Sequence, residues 1–286
     1  MTPPDNAPVG TPTLLERDRL RHVEAVYRGV VMTQFVFESR LGHHLAFVRT
    51  FASPTVAGLL THTGQLEREP RRRATDTALF MYELIHHGLD SPTGHRVVER
   101  LNQLHHRWTI SNDDYRWVLG TFAVLGIQVV DRYGWRSMTD DERQSTVDWY
   151  RELGARMGVT DVPTTYPAFE RFFRDYEVAH LRRTEIGDRL MAVTRDVALS
   201  PVPRLLRPAA AAAASVVVDE PARSALGLPS PGAVTTAAVH AALHLRGVRQ
   251  RRRGTPSSAW FVPGASHGDY PRGYTVGDLG PRADAP

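Results

Sequence analysis

Two stretches decide the fold class: Arg71–Gly88, RRRATDTALFMYELIHHG, and Val97–Phe122, VVERLNQLHHRWTISNDDYRWVLGTF. The first reads as a helix from Arg71 to His87, stopped by Gly88. Arg73 and Thr77 stand four apart in it and share one face. Gly94 to Trp108 predicts the next helix. Asn112 is placed to cap the one after, in which Tyr115, Leu119, Phe122, Leu125 and Val129 keep helical spacing. That helix is apolar on several sides, so it is expected at the centre of the molecule.

The same pattern continues outward. Ser53-Pro54 reads as a cap with proline in the first turn, opening a helix through Leu60. Thr139-Asp140-Asp141-Glu142 is a capping box before a helix ending near Gly158. Tyr166-Pro167 precedes another, carrying Phe169, Phe172, Phe173 and Tyr176. Thr184–Leu199 is one more, stopped by Pro201 and Pro203. An Ala-rich stretch and a Pro/Gly break over Gly227–Gly232 precede a last helix from about Ala233 to Arg251. The few β-branched runs show no strand-like alternation. The expectation is an all-α, single-domain multi-helix bundle over residues 13–253. A disordered Pro-rich tail is expected before it (1–12), and a Pro/Gly-rich tail after it (254–286).

Composition removes several chemistries. The 286 residues include no cysteine, so thiolate nucleophiles, iron–sulfur clusters, Cys-ligated haem and disulfides are excluded. All 35 Lys+Arg residues are Arg, which excludes Schiff-base chemistry and a Walker lysine. No GxGxxG follows a strand-like run and no GxSxG occurs. The net charge of +4 is modest, and Arg usage alone is a weak sign of nucleic acid, so no specific nucleic-acid partner is expected. The N-terminus lacks a basic segment followed by an apolar one, and the longest apolar run, Ala209–Val218, is too short to span a bilayer. The expectation is a cytoplasmic protein without a transmembrane segment, acting on intracellular material. Nothing in the sequence sets an oligomeric state.

Among the thirteen histidines, His105 stands out in the frame Asn102-Gln103-Leu104-His105. A neutral imidazole facing inward from a helix is a ready axial ligand for haem iron. The bland reading is a hydrogen-bonded core or surface histidine. His106 points about 100° away, so one of the two would face a pocket shared with Arg73. An Arg and a Thr on the facing helix would hold a haem propionate or orient dioxygen. Their bland reading is a solvated Arg cluster, and Arg71 with Thr75 has the same spacing, which leaves the register open. His240 and His244 lack the intervening Glu of a zincin and read as surface or packing residues. His86-His87 suits the end of its helix, and His43-His44 reads as a polar helix start. Arg249 and Arg251-Arg252-Arg253 read as a solvated helix end.

Several segments in order resemble the catalytic-domain family of MpaB and the rubber oxygenases (latex clearing proteins), in its bacterial members. They are RTFASPTVAGLLTHTGQLER, the Arg73-xxx-Thr77 helix, LNQLHHRWTISNDDYRWVLGTF, DRYGWRSMTDDER, WYRELGARMGV, YPAFERFFRDYE and the terminal YPRGYTVGDLGP, together spanning about Leu41–Pro281. The resemblance implies an all-helical fold enclosing one haem b, with His105 as the proximal iron ligand and Arg73 and Thr77 beside the haem. In rubber oxygenases such a site uses dioxygen to cleave a carbon–carbon double bond. By resemblance, this chain is expected to be a haem-dependent oxygenase. Its expected partners are dioxygen and an apolar small-molecule substrate, unsaturated and terpenoid- or polyketide-like. Apolar residues of the Asn112–Val130 helix are expected to line its pocket. The alternatives are a haem-dependent oxidase or desaturase, and a non-catalytic haem- or lipid-binding helical protein. Two departures stand out. Asp76 lies where some members carry a distal lysine, and the family's glutamate base has no clear match, with Glu67, Glu69 and Glu83 nearby.

Overall fold

The computed structural model describes residues 14–62 and 64–281; the tail expected over residues 1–12 lies outside them. Among the described residues there are thirteen α-helices and no strand. They are α1 (Leu14–Gly29), α2 (Val36–Arg49), α3 (Pro54–His62), α4 (Gln65–Arg68), α5 (Pro70–His87), α6 (Pro92–His105) and α7 (Asn112–Tyr133). There follow α8 (Asp140–Arg156), α9 (Tyr166–His180), α10 (Glu185–Ala198), α11 (Arg207–Ser215), α12 (Glu220–Ala225) and α13 (Ala233–Arg253). The all-α expectation holds.

The helix boundaries follow from local chemistry. Gly88, with φ at 86°, stops α5 because a left-handed backbone is strained for residues with a Cβ. Ser91 caps α6 by accepting from Gly94 N at 2.8 Å, with Pro92 in the first turn. The capping box before α8 forms as expected: Thr139 Oγ1 accepts from Glu142 N at 3.1 Å, and Glu142 accepts from Thr139 N at 2.9 Å. One cap differs. Ser111, not Asn112, opens α7 by accepting from Asp114 N at 3.0 Å. Asn112 instead pairs with the backbone of Thr160 through both amide atoms, at 3.0 and 3.1 Å. A short hydroxyl fits the cap, which frees the amide to tie two helix ends together.

Helix α7 is central, as its all-round apolarity predicts. Trp117, Ala123, Val124 and Ile127 are fully buried, and α2, α8 and α9 pack around it. The crossing with α2 depends on two glycines: a Cβ on Gly42 would lie 3.2 Å from the Gly126 Cα. A buried ion pair fastens the far side. Arg49 on α2 donates to both oxygens of Glu177 on α9, at 2.5 and 2.6 Å, and Trp117 Nε1 donates to the same carboxylate at 3.2 Å. Asp219, at the start of α12, takes a third guanidinium contact at 2.8 Å.

Beyond α13 the chain returns across α5. Tyr270 donates to Asp76, Gly280 N donates to the other oxygen of Asp76 at 3.1 Å, and Tyr274 donates to Glu83 at 2.6 Å. Trp260 donates from its indole to the Val31 carbonyl at 3.3 Å, which fixes the start of this strap near α2.

Candidate active site

Helix α5 carries the candidate pair. The Arg73 guanidinium donates to the Thr77 hydroxyl, and Thr77 donates to the Arg73 carbonyl at 3.0 Å. The competing register goes elsewhere: Arg71 is exposed, and Thr75 donates to Asp269 of the strap at 2.7 Å. Among the described residues, no carboxylate lies within ion-pair distance of Arg73. Burial weakens its hold on its proton, while the charge of Asp76 works the other way. A guanidinium does not lose its proton at neutral pH, so Arg73 is a half-buried cation with donors to spare.

His105 closes α6. Its Nδ1 lies 2.7 Å from the Leu101 carbonyl, so Nδ1 carries the hydrogen and the Nε2 lone pair is left for another partner. His62 and His180 make the same bond one turn back, at 3.2 and 2.8 Å, so this bond alone does not mark a ligand. His105 differs in its surroundings. Burial lowers its pKa, the Leu101 carbonyl opposes this, and the nearby positive charge of Arg73 lowers it further. The imidazole is therefore neutral and close enough to Arg73 to feel its charge. His106 is exposed.

A cavity of about 980 Å³ opens beside α5, between α2, α7, α13 and the strap. Thr77, Ala74, Ala78 and Met81 give it one wall, and Phe47, His43 and His44 of α2 another. Trp260, Phe261 and Tyr274 of the strap close over it. Thr77 lines this cavity, whereas Arg73 and His105 do not. Thr77 thus borders the cavity, and its partner Arg73 is near enough to His105 for its charge to be felt there. Helix α7 contributes Phe122 to this cavity and spends its other apolar residues on α2, α8 and α9.

His43-His44 is not a helix start. Both residues sit in the middle of α2, and burial drives the His43 pKa down to about 4 and also lowers that of His44. The sequence held a signal for this. His43 is four residues from both Ser39 and Phe47, so it shares the buried face of an amphipathic helix. The strap residues carried no such signal, because they have no period. Asp76 faces the strap, not the cavity. His240 stands 3.4 Å from Arg132 on α7, and His244 is exposed. Among the described residues, no group of three His, Asp or Glu side chains is arranged to hold a metal ion.

Residues 41–250 match the catalytic domain of the family described as ER-bound oxygenase mpaB/B′/Rubber oxygenase. The chain belongs to this oxygenase family. Among its relatives is the ER-bound oxygenase mpaB′ of Penicillium brevicompactum, 26% identical over 234 residues that make up 72% of this chain and 54% of that protein. The ER-bound oxygenase mpaB of Penicillium roqueforti (strain FM164) is 25% identical over 226 residues, 70% of this chain and 74% of that protein. The mpaB of P. brevicompactum is 28% identical over 144 residues, 47% of this chain and 36% of that protein. The chain spans about half or less of the length of these two P. brevicompactum relatives. The matched region of the oxygenase family contains α3 to α12 complete, and so holds Arg73, Thr77 and His105. It ends before the strap. Among the described residues, no helix of this oxygenase-family chain is long and apolar enough to cross a membrane.

Proposed function

We propose that this chain is a haem-b-dependent oxygenase that uses dioxygen to oxidise or cleave an apolar, unsaturated small molecule inside the cell. The observation that carries the reading is the conjunction at α5: Arg73, a half-buried cation whose charge reaches the neutral imidazole of His105, is hydrogen-bonded to Thr77, which borders a large cavity. Family membership supports the oxygenase class.

The residues present fit the group. Haem iron takes a single imidazole, and His105 has one nitrogen engaged by a backbone carbonyl, as metal-bound histidines commonly do. Haem propionates take cations, and Arg73 is a half-buried cation without an ion-paired carboxylate of its own among the described residues. When bound, the haem would supply the redox chemistry that makes dioxygen reactive.

This chain's residues would do the rest. The Leu101 carbonyl holds the His105 ring in the tautomer that presents Nε2. Arg73 would hold a propionate or place its positive charge beside bound dioxygen, and Thr77 would fix the guanidinium while facing the substrate. The walls of Phe47, Phe122 and Trp260 exclude water from an apolar substrate. The test is an absorption spectrum of protein produced with a haem precursor, beside His105→Ala. A strong Soret band that is lost or shifted in the variant supports the reading. A folded wild type without haem after reconstitution sinks it.

A further inference from the structure

Two polar groups in the cavity wall are left without a polar partner. Arg40 of α2 is exposed at the rim. Its guanidinium carbon lies 5.1 Å from the centre of the Trp260 ring, and among the described residues it makes neither an ion pair nor a hydrogen bond. Tyr82 of α5 meets the same Trp260 ring edge-on at 4.9 Å. Tyr82 is buried, yet its hydroxyl makes no hydrogen bond among the described residues and is not sealed off; the open space that Tyr82 lines is the cavity. Burial pushes its pKa up to about 12, against the pull of the Arg40 charge. The hydroxyl therefore keeps its proton at neutral pH, and the cation is close enough to be felt there. The wall's other arginine, Arg246, is bonded to Glu38, its one carboxylate among the described residues. That leaves Arg40 as an unbalanced cation beside an apolar cavity. A free cation and a free donor beside such a space suit an anionic oxygen group carried on an apolar body.

We infer that the cavity's ligand is an amphiphilic acid, whose carboxylate accepts from the Arg40 guanidinium and the Tyr82 hydroxyl while its apolar body fills the cavity. This deepens the proposed function, since it rests on the cavity being the substrate's chamber. It narrows the substrate class from any apolar molecule to one with an anionic head. Arg40 supplies the charge at the exposed rim, where the head keeps contact with water, and Tyr82 supplies a directional donor from the buried wall. The apolar body lies along Phe47, Met81 and Phe122. Both polar residues position the ligand and take no part in bond cleavage.

The experiment measures displacement of Nile red from the purified full chain by sodium decanoate and by decan-1-ol at neutral pH. It uses wild type, Arg40→Gln and Tyr82→Phe, with folding checked by circular dichroism. Decanoate displaces the dye from wild type and needs a roughly three- to tenfold higher concentration in each variant, as loss of one partly exposed charged contact or one hydrogen bond implies. Decan-1-ol has the same chain without the charge, so Arg40→Gln leaves its displacement within about twofold of wild type. The inference is overturned if decanoate fails to displace the dye, if either folded variant binds decanoate as wild type does, or if Arg40→Gln weakens decan-1-ol as much as decanoate. Should the Tyr82 variant not fold, Arg40→Gln decides, because its side chain is exposed. Displacement does not depend on iron ligation. Selective loss of decanoate without a Soret band in wild type refutes the haem reading alone, and a Soret band without that selectivity refutes this inference alone.

Discussion

Arg73 donates from its guanidinium to the Thr77 hydroxyl one helical turn on, and that hydroxyl donates back to the Arg73 carbonyl at 3.0 Å. The pair holds a half-buried cation near enough to His105 for its charge to be felt there. Arg73→Lys therefore does not substitute: a compact ammonium on a flexible stem lacks the planar fork. Haem affinity in Arg73→Ala and Arg73→Lys is expected to fall by about 10- to 100-fold, the worth of a hydrogen bond to a charged group. Titration of apoprotein with haem, followed at the Soret band, measures it. Thr77→Val is expected to have a smaller effect in the same direction.

Gly94 places His105 from a distance. A Cβ there would lie 2.1 Å from the Gly88 carbonyl oxygen and 2.8 Å from that of Leu89. Gly94→Ala must push the start of α6 away from the end of α5. Thermal unfolding should show a loss of about 1–3 kcal/mol or more, the usual cost of overpacking. Haem binding should weaken with it, because His105 ends the same helix.

The strap depends on two tyrosines. Tyr270 and Tyr274 donate to Asp76 and Glu83, both buried. Asp76→Ala leaves Gly280 N without its acceptor, at a cost of about 1–3 kcal/mol, and leaves the Tyr270 hydroxyl only the Asp278 carbonyl at 3.2 Å. Limited proteolysis should then cut within residues 254–281 sooner than in wild type, while α5 stays protected. Equal cleavage rates would show that the strap is held by packing alone.

Acid should destabilise the chain through His43. Its folded pKa of about 4 lies below the unfolded value near 6.5, so the unfolded chain binds the extra proton between them. Stability is therefore complete above about pH 6.5 and falls as pH drops towards 4, by on the order of 3 kcal/mol from this residue. His44 and His105 shift in the same direction. In denaturant titrations at pH 7 and pH 5, His43→Phe should lose less stability than wild type; an equal loss would assign the pH dependence elsewhere.

The Arg49–Glu177 pair should behave as a buried ion pair. Arg49→Met alone leaves the buried Glu177 carboxylate without its partner and should cost roughly 3–5 kcal/mol, and Glu177→Leu alone should cost less, because Asp219 still pairs with Arg49. The double variant Arg49→Met/Glu177→Leu should recover a large part of that loss, which a double-mutant cycle by chemical denaturation resolves.

Much of the helix framework was legible in the chain itself. Gly88 as a stop, the Thr139/Glu142 capping box and the all-round apolarity of α7 are local signals, and each appears in the structure where the sequence placed it. The Asn112 cap misled because Ser111 competes for the same position, and sequence alone does not rank two good caps one residue apart. The candidate site was legible only in part. Spacing puts Arg73 and Thr77 on one face, but Arg71 and Thr75 satisfy the same rule. What separates the two pairs is contacts with residues nearly two hundred positions away, such as Thr75 with Asp269.

By itself, the sequence determined the helical class, the chemistries ruled out by the absence of Cys and Lys, and the residues available for a site. Periodicity, caps and composition act over a few residues and need no tertiary information. Only the tertiary structure decided that His43 and His44 line a cavity, that Asp76 anchors the strap, and that Arg73 lies near His105. The reason is physical. A side chain's burial, its pKa and its unmet hydrogen bonds depend on which distant elements pack against it, and no short-range pattern carries that information.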